Sequence, residues 1–442
     1  MEKYPVCPRR RFMYTEVCME SNLSAKKLAE AGKNSLLDRF LRYVRIDTTS
    51  DRHIDTHPTT PGQWDLLRLL EQELAAMGVS DCTLNDEGYL IARIPPSPGS
   101  EPLYIGLMAH VDTASDCSGK NVNPQIHDNY GGGVLQVGHG VSLSPSEYPA
   151  LARCKGHTII TSDGTTLLGA DDKAGVSEIM TLVEILTGNP ELKHCGIEII
   201  ITPDEETGTG MDHFPLDSLK SACCYTLDGD DAGSVEGECF NAYKIDVVFT
   251  GKVIHLGKAR GQLSNAVTMA SSFVTMLPRN ESPEATDGRF GYYCPLELKA
   301  GLDSADLEIY LRDFEEHEIL RRIEFLNGLA KTVEGMFPGG SVEVKWQRQY
   351  MNMRDRLLEA PEVMQNIEAA ITRADLTPVR KSIRGGTDGS RLTEMGIPTP
   401  NIFTGGQNFH SVTEYVSLDV MQKAVEVLIH LADIWAETRT GK

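Results

Sequence analysis

The sequence predicts an α/β protein with a sheet covered on both faces, and a second, smaller domain of different rhythm inserted into it. Three observations lead there. Apolar runs that read as buried strands recur at Tyr104 to Met108, Ile197 to Ile201, Cys223 to Leu227 and Asn401 to Phe403. Helical spacing alternates with some of them, as over Lys173 to Leu186, and continuous apolar strands separated by helices belong to sheets buried on both sides. Between about Asn241 and Tyr350 the order becomes strand (YKIDVVF), helix (Ser264 to Met276), two strands (Tyr292 to Lys299, Leu307 to Phe314), helix (Ile319 to Val333) and strand (SVEVKWQ). That β-α-β-β-α-β order is the ferredoxin-like unit, with both helices on one face of a four-stranded sheet.

Taken along the chain, residues 1–34 lack a clear period and read as an N-terminal extension. Arg9, Arg10 and Arg11 are followed by FMYTEVCMESNLS, too polar for the core of a signal peptide. Helical spacing starts at Leu36, Leu37, Phe40, Leu41 and Val44 and returns from Trp64 to Met77, where LLRLLEQELAAM is amphipathic. The expected division is residues 35–240 as the first part of the main domain, 241–351 as the insert, and 352–442 as the second part of the main domain, because strand-like and Gly-rich sequence resumes after the insert.

A chain of 442 residues exceeds one ordinary core, and 40% apolar content suits a packed, enzyme-sized protein. The formal charge of -21 argues against nucleic acid and anionic membrane surfaces as partners. No stretch approaches the roughly 20 apolar residues of a membrane helix. Ten cysteines are scattered without CxxC spacing, which fits free thiols in a reducing cytosol, so a cytoplasmic location is expected.

The chemistry-bearing residues follow the proposed strands. In such sheets reactive groups gather beyond the carboxyl ends of the strands. LYIGLMA runs into His110 and Asp112, which sit two apart and so face one side in an extended segment. There Asp112 would fix the tautomer of His110, beside a metal or in a catalytic pair. LLGADDKAG places Asp171 and Asp172 ahead of a helix, where capping is the alternative. ITPDEETGTG ends an isoleucine run in Glu205 and Glu206, adjacent like charges that are either splayed into solvent or held by something positive. YTLDGDD supplies Asp228, where a plain turn is the alternative, and FTGGQNFH supplies His410. Three carboxylates (Asp171, Glu206, Asp228) and two imidazoles (His110, His410) exceed the needs of one tetrahedral ion. They suit two divalent ions sharing a bridging carboxylate, with the second glutamate left to take a proton from the attacking water.

HVD, LLGADDKAG, TPDEE, YTLDGD and FTGGQNFH resemble, in order, the metal-site segments of the dinuclear zinc exopeptidase family. GQWDLLRLLEQEL, SGKNVNPQI, TLLGADDKAGVSEIM, YMNMRD and IRGGTDGSRL extend the likeness to its tripeptide aminopeptidases, from about Ser35 to Ile434. The resemblance implies a zinc-exopeptidase catalytic domain with a ferredoxin-like lid, and a tripeptide aminopeptidase that removes the N-terminal residue. It implies two zinc ions per subunit, with His110 and Asp228 on one, Glu206 and His410 on the other, and Asp171 between them; manganese or cobalt would be tolerated by the same ligands. Asp112 would orient His110, and Glu205 would be the general base on a metal-bridging water and then the proton donor to the leaving amine. In the lid, His255 would contact the substrate carbonyl or oxyanion, near Asn265, although Leu256 stands where the family usually has proline. Arg384 would reach a substrate carboxylate, with an exposed arginine on a Gly-rich turn as the alternative. Glu414 would support His410. Short peptides are the expected partners, with a homodimer through the lid as a further expectation.

Two rivals remain at this stage: an amidohydrolase, dipeptidase or carboxypeptidase on the same scaffold, and a catalytically dead scaffold protein. The lid and Arg384-loop residues argue against the first. The intact set of five ligands and Glu205 argues against the second.

Overall fold

The computed structural model describes the backbone of residues 8–437 and the side chains of residues 25–437. The chain forms two compact units. The first comprises the described residues up to Gly237, Arg356–Lys381 and those from Thr387 onward; the second comprises Glu238–Asp355 and Ser382–Gly386.

An eight-stranded sheet organises the first unit, in the order Asp81–Leu84, Leu90–Ile94, Gly196–Thr202, Tyr104–His110, Ser221–Gly229, Asn401–Phe403, Ser234–Cys239, Val379–Ile383. Its centre is parallel: Tyr104–His110 runs alongside both Gly196–Thr202 and Ser221–Gly229, and Asn401–Phe403 is parallel to the latter. These central strands are the four apolar runs of the sequence, and Gly196–Thr202 is buried at every position. Register aligns their ends. His110 pairs with Thr202, and Met108 pairs with Thr226, so His110 and Asp228, each two residues further on, finish side by side.

The helix Ala170–Gly188 is buried on nearly all sides, as its apolar sequence requires. Gly175 lets it approach the sheet, since a Cβ there would run into the Leu227 carbonyl oxygen. That close approach sets the start of the helix beside the strand end carrying Asp228. The helix Pro8–Tyr43 passes without a break through the segment expected to be an extension, and Ala25 and Ala29 on it are buried. The arginines at positions 9–11 lie outside the described side chains. A small antiparallel sheet of Gly406–Gln407, Tyr415–Ser417, Ile159–Thr161 and Gln125–His127 has no counterpart in the sequence expectations, its strands being two or three residues long.

In the second unit the observed order is strand Asn241–Thr250, helix Ala266–Thr275, strands Tyr292–Ala300 and Ser304–Asp313, helix Glu316–Met336, strand Ser341–Tyr350. The sheet is antiparallel throughout, with Tyr292–Ala300 and Ser341–Tyr350 at its edges. Alternate residues supply one apolar face. Ile245, Val247 and Phe249 with Leu307, Ile309 and Leu311 pack against Met269 and Phe273 of one helix and Ile319, Leu326 and Val333 of the other. Each such side chain removed from water stabilises the unit by about 1.5–3 kcal/mol. Among the described residues no helix is long and apolar enough to cross a membrane.

Candidate metal centre

The five residues expected to bind metal all lie in the first unit, at or just past strand ends or at a helix start, and they converge. His110 closes its strand and is 2% exposed. Its Nε2 lies 3.0 Å from Asp171 Oδ1 and 3.8 Å from Asp228 Oδ1. Its Nδ1 lies 3.1 Å from the Asp112 carbonyl oxygen and 3.2 Å from Asp112 Oδ1. On the other side, His410 Nε2 lies 3.2 Å from Asp171 Oδ2 and 3.0 Å from Glu206 Oε1. The two oxygens of Asp171 therefore face two different imidazoles. A carboxylate so placed is disposed to bridge.

Local structure explains the placement. His410 has φ +60° and sits in the loop between Gly406–Gln407 and Tyr415–Ser417, so the unforeseen small sheet is what carries it to Asp171. Asp116 is a further neighbour, its Oδ2 3.5 Å from His410 Nδ1. Glu414 does not support His410 as expected. Its carboxylate instead accepts the backbone N–H groups of Leu168 (2.7 Å), Gly169 (2.8 Å) and Asp171 (3.1 Å), fixing the segment that presents the bridging candidate. Asn401 Oδ1 accepts the Asp228 N–H at 3.0 Å while its Nδ2 donates to Glu236 at 2.6 Å, so a buried pair steadies the Asp228 strand end.

Asp112 is fully buried and does more than touch His110. Its Oδ1 accepts the Glu205 N–H at 3.0 Å and its Oδ2 the Glu206 N–H at 3.1 Å. One side chain thus couples the histidine to the turn bearing both glutamates. Asp172 belongs to the same cluster by distance. Its oxygens, however, accept the N–H groups of His110 and Gly175, both at 3.2 Å, which makes it a backbone anchor for the helix start. The capping alternative weighed for the acidic pair therefore applies to Asp172 and not to Asp171.

The electrostatics report an excess of negative charge. Burial and then the charge of Asp171 push Asp228 up to about 6 and Glu206 up to about 8. Burial likewise drives Glu205 well above the ordinary glutamate range. Burial alone would lower the imidazoles, yet hydrogen bonds to Asp112, Asp171 and Asp228 hold His110 well above its usual value. Asp171 and Glu206 raise His410 to about 11. Asp171 falls below the normal carboxylate range despite its burial, because both imidazoles bond to it. Carboxylates that climb and imidazoles that stay charged are two signs of one imbalance, which divalent cations relieve with the oxygen and nitrogen donors present.

The expected substrate contacts belong to the second unit. His255 is exposed, and its Nδ1 accepts the Gly257 N–H at 3.1 Å. Asn265 Oδ1 caps the helix Ala266–Thr275 by accepting the Val267 N–H at 2.9 Å. Arg384 departs from its expected role. Its Nη1 donates to the Gly288 (3.0 Å) and Phe290 (2.8 Å) carbonyls, its Nη2 to the Thr286 carbonyl (3.2 Å) and hydroxyl (2.9 Å), and its guanidinium lies over Phe240 and Tyr292. Four of its five N–H donors are spent on holding a neighbouring loop, so pairing with both oxygens of a substrate carboxylate would displace at least one of those bonds.

Known proteins share this chain and fold. The profile of peptidase family M20/M25/M40 matches residues 163–433. Peptidase T of Clostridium perfringens strain SM101 is 44% identical over 400 residues, covering 90% of this chain and 98% of that protein. Peptidase T of Shouchella clausii is 43% identical over 405 residues, 92% of this chain and 99% of that protein. Among solved structures, aminopeptidase PepT from Bacillus cereus superposes with a TM-score of 0.70 at 20% identity, covering 92% of this chain and 99% of that one. A tripeptidase from Staphylococcus aureus superposes with a TM-score of 0.73 at 20% identity over the same shares. The chain belongs to peptidase family M20/M25/M40, a family of hydrolases in which it groups with the peptidase T enzymes.

Proposed function

We propose that this peptidase is a dinuclear zinc aminopeptidase that removes the N-terminal residue of tripeptides. The observation that carries the reading is Asp171, whose Oδ1 and Oδ2 address His110 and His410 separately. His110 and Asp228 would hold one ion, Glu206 and His410 the other, with Asp171 shared. The donor set fits: five oxygen and nitrogen ligands supply three negative charges against two dications. Ions bound there would polarise the scissile carbonyl and lower the pKa of water.

The chain's own residues do the rest. Glu205 takes a proton from the attacking water and delivers it to the departing amine. Its burial raises its proton affinity, and a group that accepts a proton and then gives it up works by such tuning. Asp112 holds the Glu205 and Glu206 N–H groups and thereby fixes the base relative to His110. We assign His255 and Asn265 to substrate binding, and regard Arg384 as a loop anchor that could pair with both oxygens of a substrate carboxylate only by exchanging one of its bonds. The peptidase T relatives at 43–44% identity support a peptide substrate, and the structural neighbour from Staphylococcus aureus is named a tripeptidase. The free cysteines among the described residues support a reducing, cytoplasmic setting. The open edge strand Tyr292–Ala300 supports a homodimer through the second unit.

Cleavage of matched di-, tri- and tetrapeptides by zinc-loaded protein, with N-acetylated counterparts, tests the reading. Release of the first residue from the free tripeptide is expected to dominate. Preference for the acetylated substrates would replace it with an amidohydrolase, and Glu205→Gln retaining normal turnover would remove the base assignment.

A further inference from the structure

The turn bearing Glu205 and Glu206 is gripped on a second side, by residues the proposed mechanism leaves unused. Asp204, immediately before it, is fully buried and adopts φ +56°, a left-handed conformation that a non-glycine residue keeps only where its surroundings enforce it. Its surroundings do. The Asp204 carboxylate accepts the Thr59 N–H (2.9 Å to Oδ2), the Thr59 hydroxyl and Gln63 Nε2 (2.7 Å), and the Asp204 N–H donates to Gln63 Oε1 at 3.1 Å. His57 Nδ1 completes the set, 2.9 Å from Asp204 Oδ2.

From His57 the bonds continue to the far end of the same turn. His57 Nε2 lies 3.0 Å from the Tyr89 hydroxyl, which donates to the Gly210 carbonyl at 2.9 Å and accepts the His213 N–H at 3.3 Å. The Tyr89 ring is 1% exposed and sits in a core cluster with Met108 and Ile200, one residue from each of the strands that end in His110 and lead to Glu205. It also meets Phe214 edge-on at 5.4 Å. Side chains thus tie Asp204 to Gly210 behind the loop, while Asp112 holds the Glu205 and Glu206 N–H groups from within it. A turn fixed at both ends and in the middle has little freedom to move its carboxylates. A general base displaced by about 1 Å loses on the order of 100-fold in rate.

We infer that the Asp204–His57–Tyr89–Gly210 hydrogen-bond chain is a positioning device for Glu205, with Tyr89 and His57 acting through the turn and touching neither substrate nor metal. This rests on Glu205 being the base. The alternative is that the chain merely staples the segment around Thr59 to the sheet.

Tyr89→Phe isolates the chain, because the ring that fills the core stays and only the shared hydroxyl goes. The expected result is a kcat about tenfold lower or more, KM within twofold of wild type, and the wild-type number of metal ions bound by calorimetric titration. Introduced on top of Glu205→Asp, whose shortened carboxylate is already misplaced, the same change should cost less than twofold, since residues acting as one unit are not additive. An unchanged kcat, a loss of metal or a parallel rise in KM, or full additivity with Glu205→Asp would each overturn the inference. Should Tyr89→Phe fail to fold, His57→Gln, whose side chain is 8% exposed, is read by the same criteria. Glu205→Gln run alongside separates the two claims. If it is fully active the base assignment has failed, and if it is inactive while Tyr89→Phe is normal only the positioning has failed.

Discussion

Buried charge is handled in opposite ways at two places, one in each unit. In the second, Asp313 and Arg322 are 5% and 4% exposed and meet each other at 2.6 Å, acid against base. In the first, Asp171, Glu206 and Asp228 are gathered with Glu205 beside them, acid against acid, and the two imidazoles are too few to balance them. An acid matched to a base is self-sufficient and belongs to folding. A like-charged cluster is relieved only by protons or by a cation from outside, and the folding cost it represents is a mark of function.

Two matched substitutions can break that comparison. Asp171→Asn keeps the shape and removes the shared charge, so metal content should fall from two ions towards none and kcat/KM by roughly 1,000-fold or more. A variant still holding two ions would end the bridging assignment. Asp313→Asn should leave metal stoichiometry untouched and lower stability by about 3 kcal/mol, the low end for a broken buried pair because Glu281 remains 3.0 Å from Arg322. A denaturant midpoint with and without metal reads both. Metal loss on Asp313→Asn would mean that the two kinds of buried charge are not independent.

The units also differ in what their sequences disclose. The insert's elements follow from period two in its strands and helical spacing between them, because one face of each is buried and the other wet. The central strands of the main sheet are legible as apolar runs for the opposite reason, being buried on both faces. Short elements escaped: Gly406–Gln407 and Tyr415–Ser417 are too brief to show a period, yet they deliver His410. At the site, the residue types of the candidate ligands were visible, whereas their supports were not. Glu414 bonding to Leu168, Gly169 and Asp171, or Asn401 to Asp228, spans more than 170 positions, and nothing local in the chain announces such a partnership. Arg384 shows the converse. Its Gly-rich context suggested an exposed, available guanidinium, and tertiary contacts with Thr286, Gly288 and Phe290 claimed it first.

Glu414 offers a finer test of how far the cluster depends on its supports. One oxygen serves Leu168 and Gly169 and the other serves Asp171, so an amide in its place would turn an NH2 group against one of these N–H donors. Glu414→Gln should weaken metal binding by about 10–100-fold with the far-UV spectrum unchanged. Zinc titration against a competing chelator measures it. Unaltered affinity would show that the Asp171 segment is held by the helix alone.

The smallest effect concerns a buried histidine with no part in the site. His430, on the helix Leu418–Glu437, is 1% exposed, its Nε2 has no hydrogen-bond partner, and burial followed by the charges of Arg373 and Lys423, only partly offset by Asp375, lowers its pKa from 6.5 to about 4. As pH falls the unfolded chain takes up this proton first, so the stability tied to the neutral ring is complete above about pH 6.5 and is lost on the way down to about pH 4. Between pH 7 and 5 the loss should be about 1–2 kcal/mol. The acidic cluster without metal also titrates, Asp228 at about 6 inside this interval and Glu206 at about 8 just above it, so the slope of the wild type alone cannot isolate the ring. The difference between wild type and His430→Gln can, because the cluster contributes equally to both. Urea midpoints at the two pH values should converge as pH drops, the variant losing less. Parallel slopes would show that the ring is already charged in the fold, and that the first unit keeps a second buried charge with no acid paired to it.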